Sequence, residues 1–181
     1  MNAALPFPGF SSPAVGTEAP LDLLAACHTR VEKQCSTVER LRDHLYTHGS
    51  DAAAQEAAQA VLRYFNTAAR HHHEDEEQDL FPALMESMAG SDAVCIRELC
   101  MRLMDQHRQL EARWAVLRGA LVSVANGVPV RLDDADPEGF VQAYREHIAL
   151  EDQELLPMAQ RLLSDDTLKT MGQHMRQRRQ P

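Results

Sequence analysis

Nine of the 181 residues are histidine, and five of these are followed four residues later by a glutamate; two such pairs, His72 with Glu76 and His147 with Glu151, stand in the same local context. On an α-helix four residues turn the chain by about 400°, so each imidazole and its carboxylate share one face, one turn apart. That arrangement can place two donors on one cation. The surroundings repeat as well. His72-x3-Glu76 leads through three residues to Leu80-Phe81-Pro82, and His147-x3-Glu151 leads through three residues to Leu155-Leu156-Pro157. The shared pattern is H-x3-E-x3-L-[FL]-P. The first copy holds three adjacent histidines, His71, His72 and His73, so His73 with Glu77 is a competing frame. The repeat and the apolar spacing around it both select His72 with Glu76.

Two more histidines, His28 and His107, stand singly on apolar stripes. One histidine in such a place reads as a hydrogen-bonded core residue. Four of them, one per stripe, would cost several kcal/mol in desolvation if they had no purpose, and a shared metal site offsets that cost. Six nitrogen and oxygen donors are too many for one four-coordinate zinc. Two ions bridged by Glu76 and Glu151 suit the count, with His28 and His72 on one and His107 and His147 on the other. Imidazole with carboxylate suits iron, with manganese and zinc as substitutes. Two bridging carboxylates also neutralise cationic charge inside an apolar core.

Other polar residues have plainer readings. Glu111 follows His107 by four residues and reads as a seventh ligand, an acceptor for an imidazole N–H, or a surface glutamate beside Trp114. His44 and His48 are also spaced by four, but His44 is rotated away from the seam of His28 and reads as a solvated helix end. His174 reads as exposed. Most of the acidic run Glu74, Asp75, Glu76, Glu77 and Asp79 reads as a solvated face.

The elements that must position these groups are helices. Aromatic residues are only 5% of the chain, while the stripes repeat every three or four residues. The first runs from Pro20 through Leu24, His28, Val31, Cys35, Val38 and Leu41 to a stop at Gly49. The second starts at an Asp51 cap and runs through Val61, Phe65, His72, Glu76 and Leu80, with Pro82 expected to kink or stop it. Gly90, Ser91 and Asp92 mark a turn. The third stripe runs from Ile96 through His107 and Trp114 to Val124, ending at Asn126 and Gly127. Residues 127–136 read as a linker, and Asp136 caps a fourth helix carrying Phe140, Tyr144, His147, Glu151 and Leu155. Residues 165–178 form a short fifth helix, whose basic end at Arg176, Arg178 and Arg179 complements its dipole.

The expected architecture is therefore all-α: an antiparallel up-down-up-down four-helix bundle over residues 20–163. An irregular N-terminal arm precedes it at 1–19, and a short C-terminal helix with a basic tail follows at 164–181. A net charge of −9 argues against a nucleic-acid partner for the domain as a whole. No apolar run is long enough to span a membrane, and the N-terminus lacks the pattern of a secretory signal. Cys27, Cys35, Cys95 and Cys100 form no CxxC pair and read as buried reduced thiols, which suits a cytoplasmic protein.

His28, His72-x3-Glu76-x3-Leu-Phe-Pro, His107 and His147-x3-Glu151-x3-Leu-Leu-Pro together resemble the hemerythrin-like, or HHE cation-binding, domain family over about residues 20–163. The resemblance implies a carboxylate-bridged di-iron centre, oxo- or hydroxo-bridged, with Glu76 and Glu151 as bridges and the four histidines as terminal ligands. Members of the family carry or sense oxygen, respond to iron or nitric oxide, or act in iron handling and stress repair. Oxygen carriers of this kind have a fifth histidine one turn after that of the third helix, where this chain has Glu111. Their last bridge is an aspartate five residues after its histidine, whereas Glu151 follows at four. The more anionic site favours ferric iron and reaction with oxygen over reversible release. The expected role is a di-iron protein that senses or processes oxygen, peroxide or nitric oxide, or responds to iron. A signalling or repair role would need a partner protein. Alternatives are iron storage or delivery, a redox-silent zinc-binding interaction bundle, and a di-iron oxidase or peroxidase. The last class orders its motif as E-x-x-H, the reverse of the order here.

Overall fold

The computed structural model describes residues 16–87 and 93–180, and every regular element among them is helical. Residues 1–15 of the expected arm, and the turn expected at Gly90, Ser91 and Asp92, lie outside the described residues.

Helix α1 spans Pro20–His48. Proline suits its start, where the missing N–H would have no partner. Gly49 ends it at φ 68°, a left-handed conformation that costs glycine little. The Asp51 side chain accepts from the Ala54 N–H and caps α2, Ala52–Asn66. The stripe expected as one second helix is in fact broken. Thr67 interrupts it because its hydroxyl donates to the Arg63 carbonyl at 2.6 Å while its own N–H turns to Tyr64. The rod then resumes as α3, Ala68–Asp75, widens through a π-turn at Glu76–Leu80, and continues as α4, Phe81–Glu86.

Helix α5, Ala93–Ala125, is the longest. The expected linker after it is partly structured: Leu132–Ala135 form a 3-10 turn that buries Leu132 and Ala135 in the core. Asp136 caps α6, Pro137–Leu150, by accepting from the Gly139 N–H. A second π-turn, Glu151–Leu155, leads to α7, Leu156–Leu162. Ser164 caps α8, Asp165–Arg178.

The two π-turns have the same cause. Pro82 and Pro157 lack an N–H, and their rings crowd the carbonyl four residues earlier. One extra residue in the turn relieves the conflict. In each copy the residue before the proline, Phe81 or Leu156, donates to the glutamate carbonyl five residues back, that of Glu76 or Glu151. The glutamates of the repeat are thus the first residues of its widened turns.

Helix α1 packs against α2 and α6, and α5 packs against the same two. Rising positions on one rod meet falling positions on its neighbour: Arg145 reaches Glu32 and Glu39, while Asp152 reaches His28. Apolar side chains fall into two clusters. One contains Val38, Phe65, Leu117, Leu121 and Phe140; the other contains Leu24, Leu80, Phe81, Leu103, Leu155 and Met175. On each of the four rods the histidines and glutamates of the repeat fall between the positions that feed these clusters.

Helix α8 closes one side, adding Met171 and Met175 to the second cluster. Its basic end does more than complement a dipole. Arg178 and Arg179 both grip Asp75, whose side chain is 0% exposed, and Arg178 also pairs with Asp79. His174, half-exposed, donates to Asp79 at 2.6 Å. Part of the acidic run is therefore clamped, not solvated. The cysteine reading also needs correction: Cys27, Cys35 and Cys100 are buried, but Cys95 is exposed. Burial, helped by Glu32, pushes the Cys35 thiol up to about 12, and burial pushes Cys100 up to about 11.

Two outcomes follow. Replacing Arg178 and Arg179 together by alanine strands a buried carboxylate, and the loss of unfolding free energy in urea should be roughly 3 kcal/mol. An unchanged midpoint would show that the clamp contributes nothing. With the native protein at pH 8, a thiol reagent should label Cys95 quickly, and Cys27, Cys35 and Cys100 only after unfolding, because the protonated thiol is the unreactive form.

Candidate metal centre

His28 comes from α1, His72 and Glu76 from the α3 rod, His107 from α5, and His147 and Glu151 from the α6 rod. All six side chains are at most 3% exposed. The structure brings them together as two sets, His28, His72, Glu76 and Glu151, and Glu76, His107, His147 and Glu151. Within each set the donor atoms lie within 4.8 Å of one another.

The two glutamates are common to both sets, and each turns one oxygen to either side. Glu76 Oε1 is 3.5 Å from His72 Nε2, and its Oε2 is 3.4 Å from His107 Nε2. Glu151 Oε2 is 3.0 Å from His28 Nε2, and its Oε1 is 3.1 Å from His147 Nε2.

The outer nitrogens of three rings are held. His28 Nδ1 donates to Asp152 at 2.7 Å, His107 Nδ1 to Glu77 at 2.7 Å, and His147 Nδ1 to Gln106 at 3.0 Å. A donating Nδ1 leaves the Nε2 lone pair facing inward. Sequence reasoning missed Asp152 and Gln106 altogether, and gave Glu77 only as part of the competing frame. A signal was present for two of them: Glu77 and Asp152 each directly follow a glutamate of the repeat, and each supports the lone histidine of a neighbouring helix.

Inside the site the Nε2 atoms of His28, His107 and His147 and all four oxygens of Glu76 and Glu151 have no hydrogen-bond partner. Burial first, then the neighbouring Glu151, pushes the Glu76 carboxyl well above the usual range. Burial also works against the charge on Glu151, but the His147 and His28 imidazoles outweigh it and hold that carboxyl well below the usual range. Burial pushes His72 down to about 3 and lowers His107, so both stay neutral. At His28 burial is outweighed by Glu151 and Asp152, and the net shift is upward. Inward-facing lone pairs with no donor opposite them fit a cation and little else.

Glu111 does not join the site: it is exposed, and both of its oxygens accept from Arg108. The competing frame divides. Glu77 supports His107 and pairs with Arg108, while His73 is buried beside His107. His44 stacks on His48 and pairs with Asp51 near the end of α1, apart from the cluster.

The sequence profile of the hemerythrin HHE cation binding domain matches residues 19–159. The chain belongs to this hemerythrin family. A Haemophilus influenzae protein, described only as uncharacterized, is 38% identical over 161 residues, covering 89% of this chain and 90% of that one. The hemerythrin match takes in α1 to α6, both π-turns and all six convergent side chains. Helix α8 and its arginine clamp lie beyond it.

An unpartnered buried carboxyl destabilises the metal-free fold. Glu76→Leu should therefore stabilise the chelator-treated protein by about 1–3 kcal/mol in urea unfolding, because it removes a desolvated group without removing a hydrogen bond. A less stable variant would mean that Glu76 contributes packing or contacts beyond this account.

Proposed function

We propose that this hemerythrin-family chain binds two iron ions bridged by Glu76 and Glu151, with His28 and His72 on one ion and His107 and His147 on the other. The supporting observation is that each glutamate divides its two unpartnered oxygens between two pairs of inward-facing imidazoles. The helix contacts support the up-down-up-down order of rods that such a site needs. Within that frame the protein senses or processes oxygen, peroxide or nitric oxide inside the cytoplasm.

When bound, the iron pair supplies reversible electron transfer and an open position for a small ligand. The protein does the rest. Glu76 and Glu151, each with one oxygen toward either pair of imidazoles, would hold the ions and offset their charge. Asp152, Glu77 and Gln106 fix the rings of His28, His107 and His147 in the tautomer that coordinates. Phe81, Leu103 and Leu80 on one side, with Leu110 and Tyr144 on the other, keep bulk water from the layer.

Protein purified in air should carry about two irons per chain by elemental analysis, with a near-ultraviolet band that bleaches on reduction and returns on exposure to oxygen. Glu76→Ala and Glu151→Ala should each lose at least one ion. Full occupancy in either variant refutes its role as a bridge, and a redox-silent metal in the wild type refutes iron.

A further inference from the structure

The first charged residue of the chain is Glu18. The uncharged stretch before it contains Leu5, Phe7 and Phe10, with prolines at Pro6, Pro8 and Pro13. The other phenylalanines of the chain, Phe65, Phe81 and Phe140, are all buried in the bundle. An uncharged segment with two phenylalanines has apolar surface to bury and no charge to desolvate. Its prolines narrow the freedom that docking would remove, and they eliminate N–H groups that would otherwise need partners.

The place where this segment meets the bundle is set by α8. A Cβ on Gly172 would come within 2.0 Å of the Thr17 carbonyl oxygen, so glycine alone lets the chain lie this close to the helix. The Arg176 Nε donates to the Thr17 hydroxyl at 3.0 Å. A groove of about 920 Å³ opens beside Thr17, between the start of α1, α7 and α8. Leu21, Leu156 and Leu168 line it, partly buried, with Ala25 and Pro157 exposed next to them. Asp152 also borders it, half-exposed while its carboxylate holds His28.

We propose that the segment before Gly16 docks in this groove of its own chain, with Phe7 and Phe10 against Leu21, Leu156 and Leu168. Phe10 precedes Thr17 by seven residues, a reach of up to about 25 Å. The tether gives the segment an effective concentration on the order of millimolar, so weak apolar contacts suffice. A foreign chain, or the segment of a second copy, lacks that tether and must offset its lost translational freedom. The groove walls are helices whose backbone groups already bond within the helix, so recognition falls to side chains, which suits a segment with three prolines. Docking takes the Asp152 carboxylate out of water and strengthens its hold on the His28 ring.

Limited digestion of the full chain with chymotrypsin tests this at the Phe10–Ser11 bond, since Phe7 precedes a proline. Wild-type protein should be cut there at least tenfold more slowly than Leu168→Gln, which weakens the groove, and Gly172→Ala, which displaces Thr17. Helicity of both variants is checked by circular dichroism. Alanine favours a helix and leaves the apolar wall intact, so Gly172→Ala still decides the matter if Leu168→Gln unfolds. In methyl-labelled full chain, Phe7→Ala and Phe10→Ala should move the resonances of Leu21, Leu156 and Leu168 at every protein concentration. Leu117, in the other apolar cluster, should stay in place. Equal cleavage rates in wild type and Gly172→Ala, or groove resonances that ignore both phenylalanine substitutions, overturn the docking. Shifts that fade on dilution assign the groove to the segment of a second copy and overturn it as well. No metal enters either readout, so the result stands apart from the two-ion reading.

Discussion

Glu76 and Glu151 lie side by side with no exposed surface and no hydrogen-bond partner for any of their oxygens. Two carboxylates in such a place repel each other, and desolvation works against the charge on each. The protein without a cation answers by separating their affinities for protons: Glu76 is pushed toward the neutral form, and Glu151 is held ionised by the imidazoles of His147 and His28. The rest of the molecule is arranged around this layer. Each of the four rods passes through it with a histidine, and apolar clusters pack on both sides of it. Those clusters must supply the stability that the polar layer withholds.

The two halves of the chain solve the positioning problem in the same way. Glu76-Glu77-Gln78-Asp79-Leu80-Phe81-Pro82 and Glu151-Asp152-Gln153-Glu154-Leu155-Leu156-Pro157 agree in chemical type at nearly every step. The first residue faces the site. The second reaches across to the lone histidine of another helix, Glu77 to His107 and Asp152 to His28. The proline forces the widened turn that begins at the glutamate. The leucine of each repeat, Leu80 or Leu155, follows its glutamate by four residues and so returns to the core, with 0% exposure.

Much of this was legible in the sequence because the signals are local. Helix starts at Pro20, Asp51 and Asp136, the stop at Gly49, and the four seam histidines all follow from spacing and capping chemistry. What escaped depends on contacts between distant segments. The break at Thr67 turns on one hydroxyl choosing a backbone acceptor. Leu132 looked like linker because a single apolar residue among aspartates carries no period. Glu111 kept three readings until the position of Arg108 settled it on the surface. The exposure of Cys95 among three buried thiols likewise depends on which face of α5 is covered. The pairing of Asp75 with Arg178 and Arg179 spans more than one hundred residues and has no local trace.

That last pairing bears on why the site can be rigid. Asp75 directly precedes Glu76, at the point where α3 gives way to the π-turn. A π-turn is a single-turn interruption of an α-helix, and here the residue before it is tethered. The two guanidinium groups hold the Asp75 carboxylate from outside the bundle, while the Glu76 carboxylate points inward. The second π-turn has a different support, because Asp152, one residue into it, is held by His28 of α1. Both widened turns are thus fixed by a charged side chain next to the glutamate, one from the C-terminal helix and one from the first. An electrostatic tether suits this task better than an apolar one, since it fixes direction as well as distance.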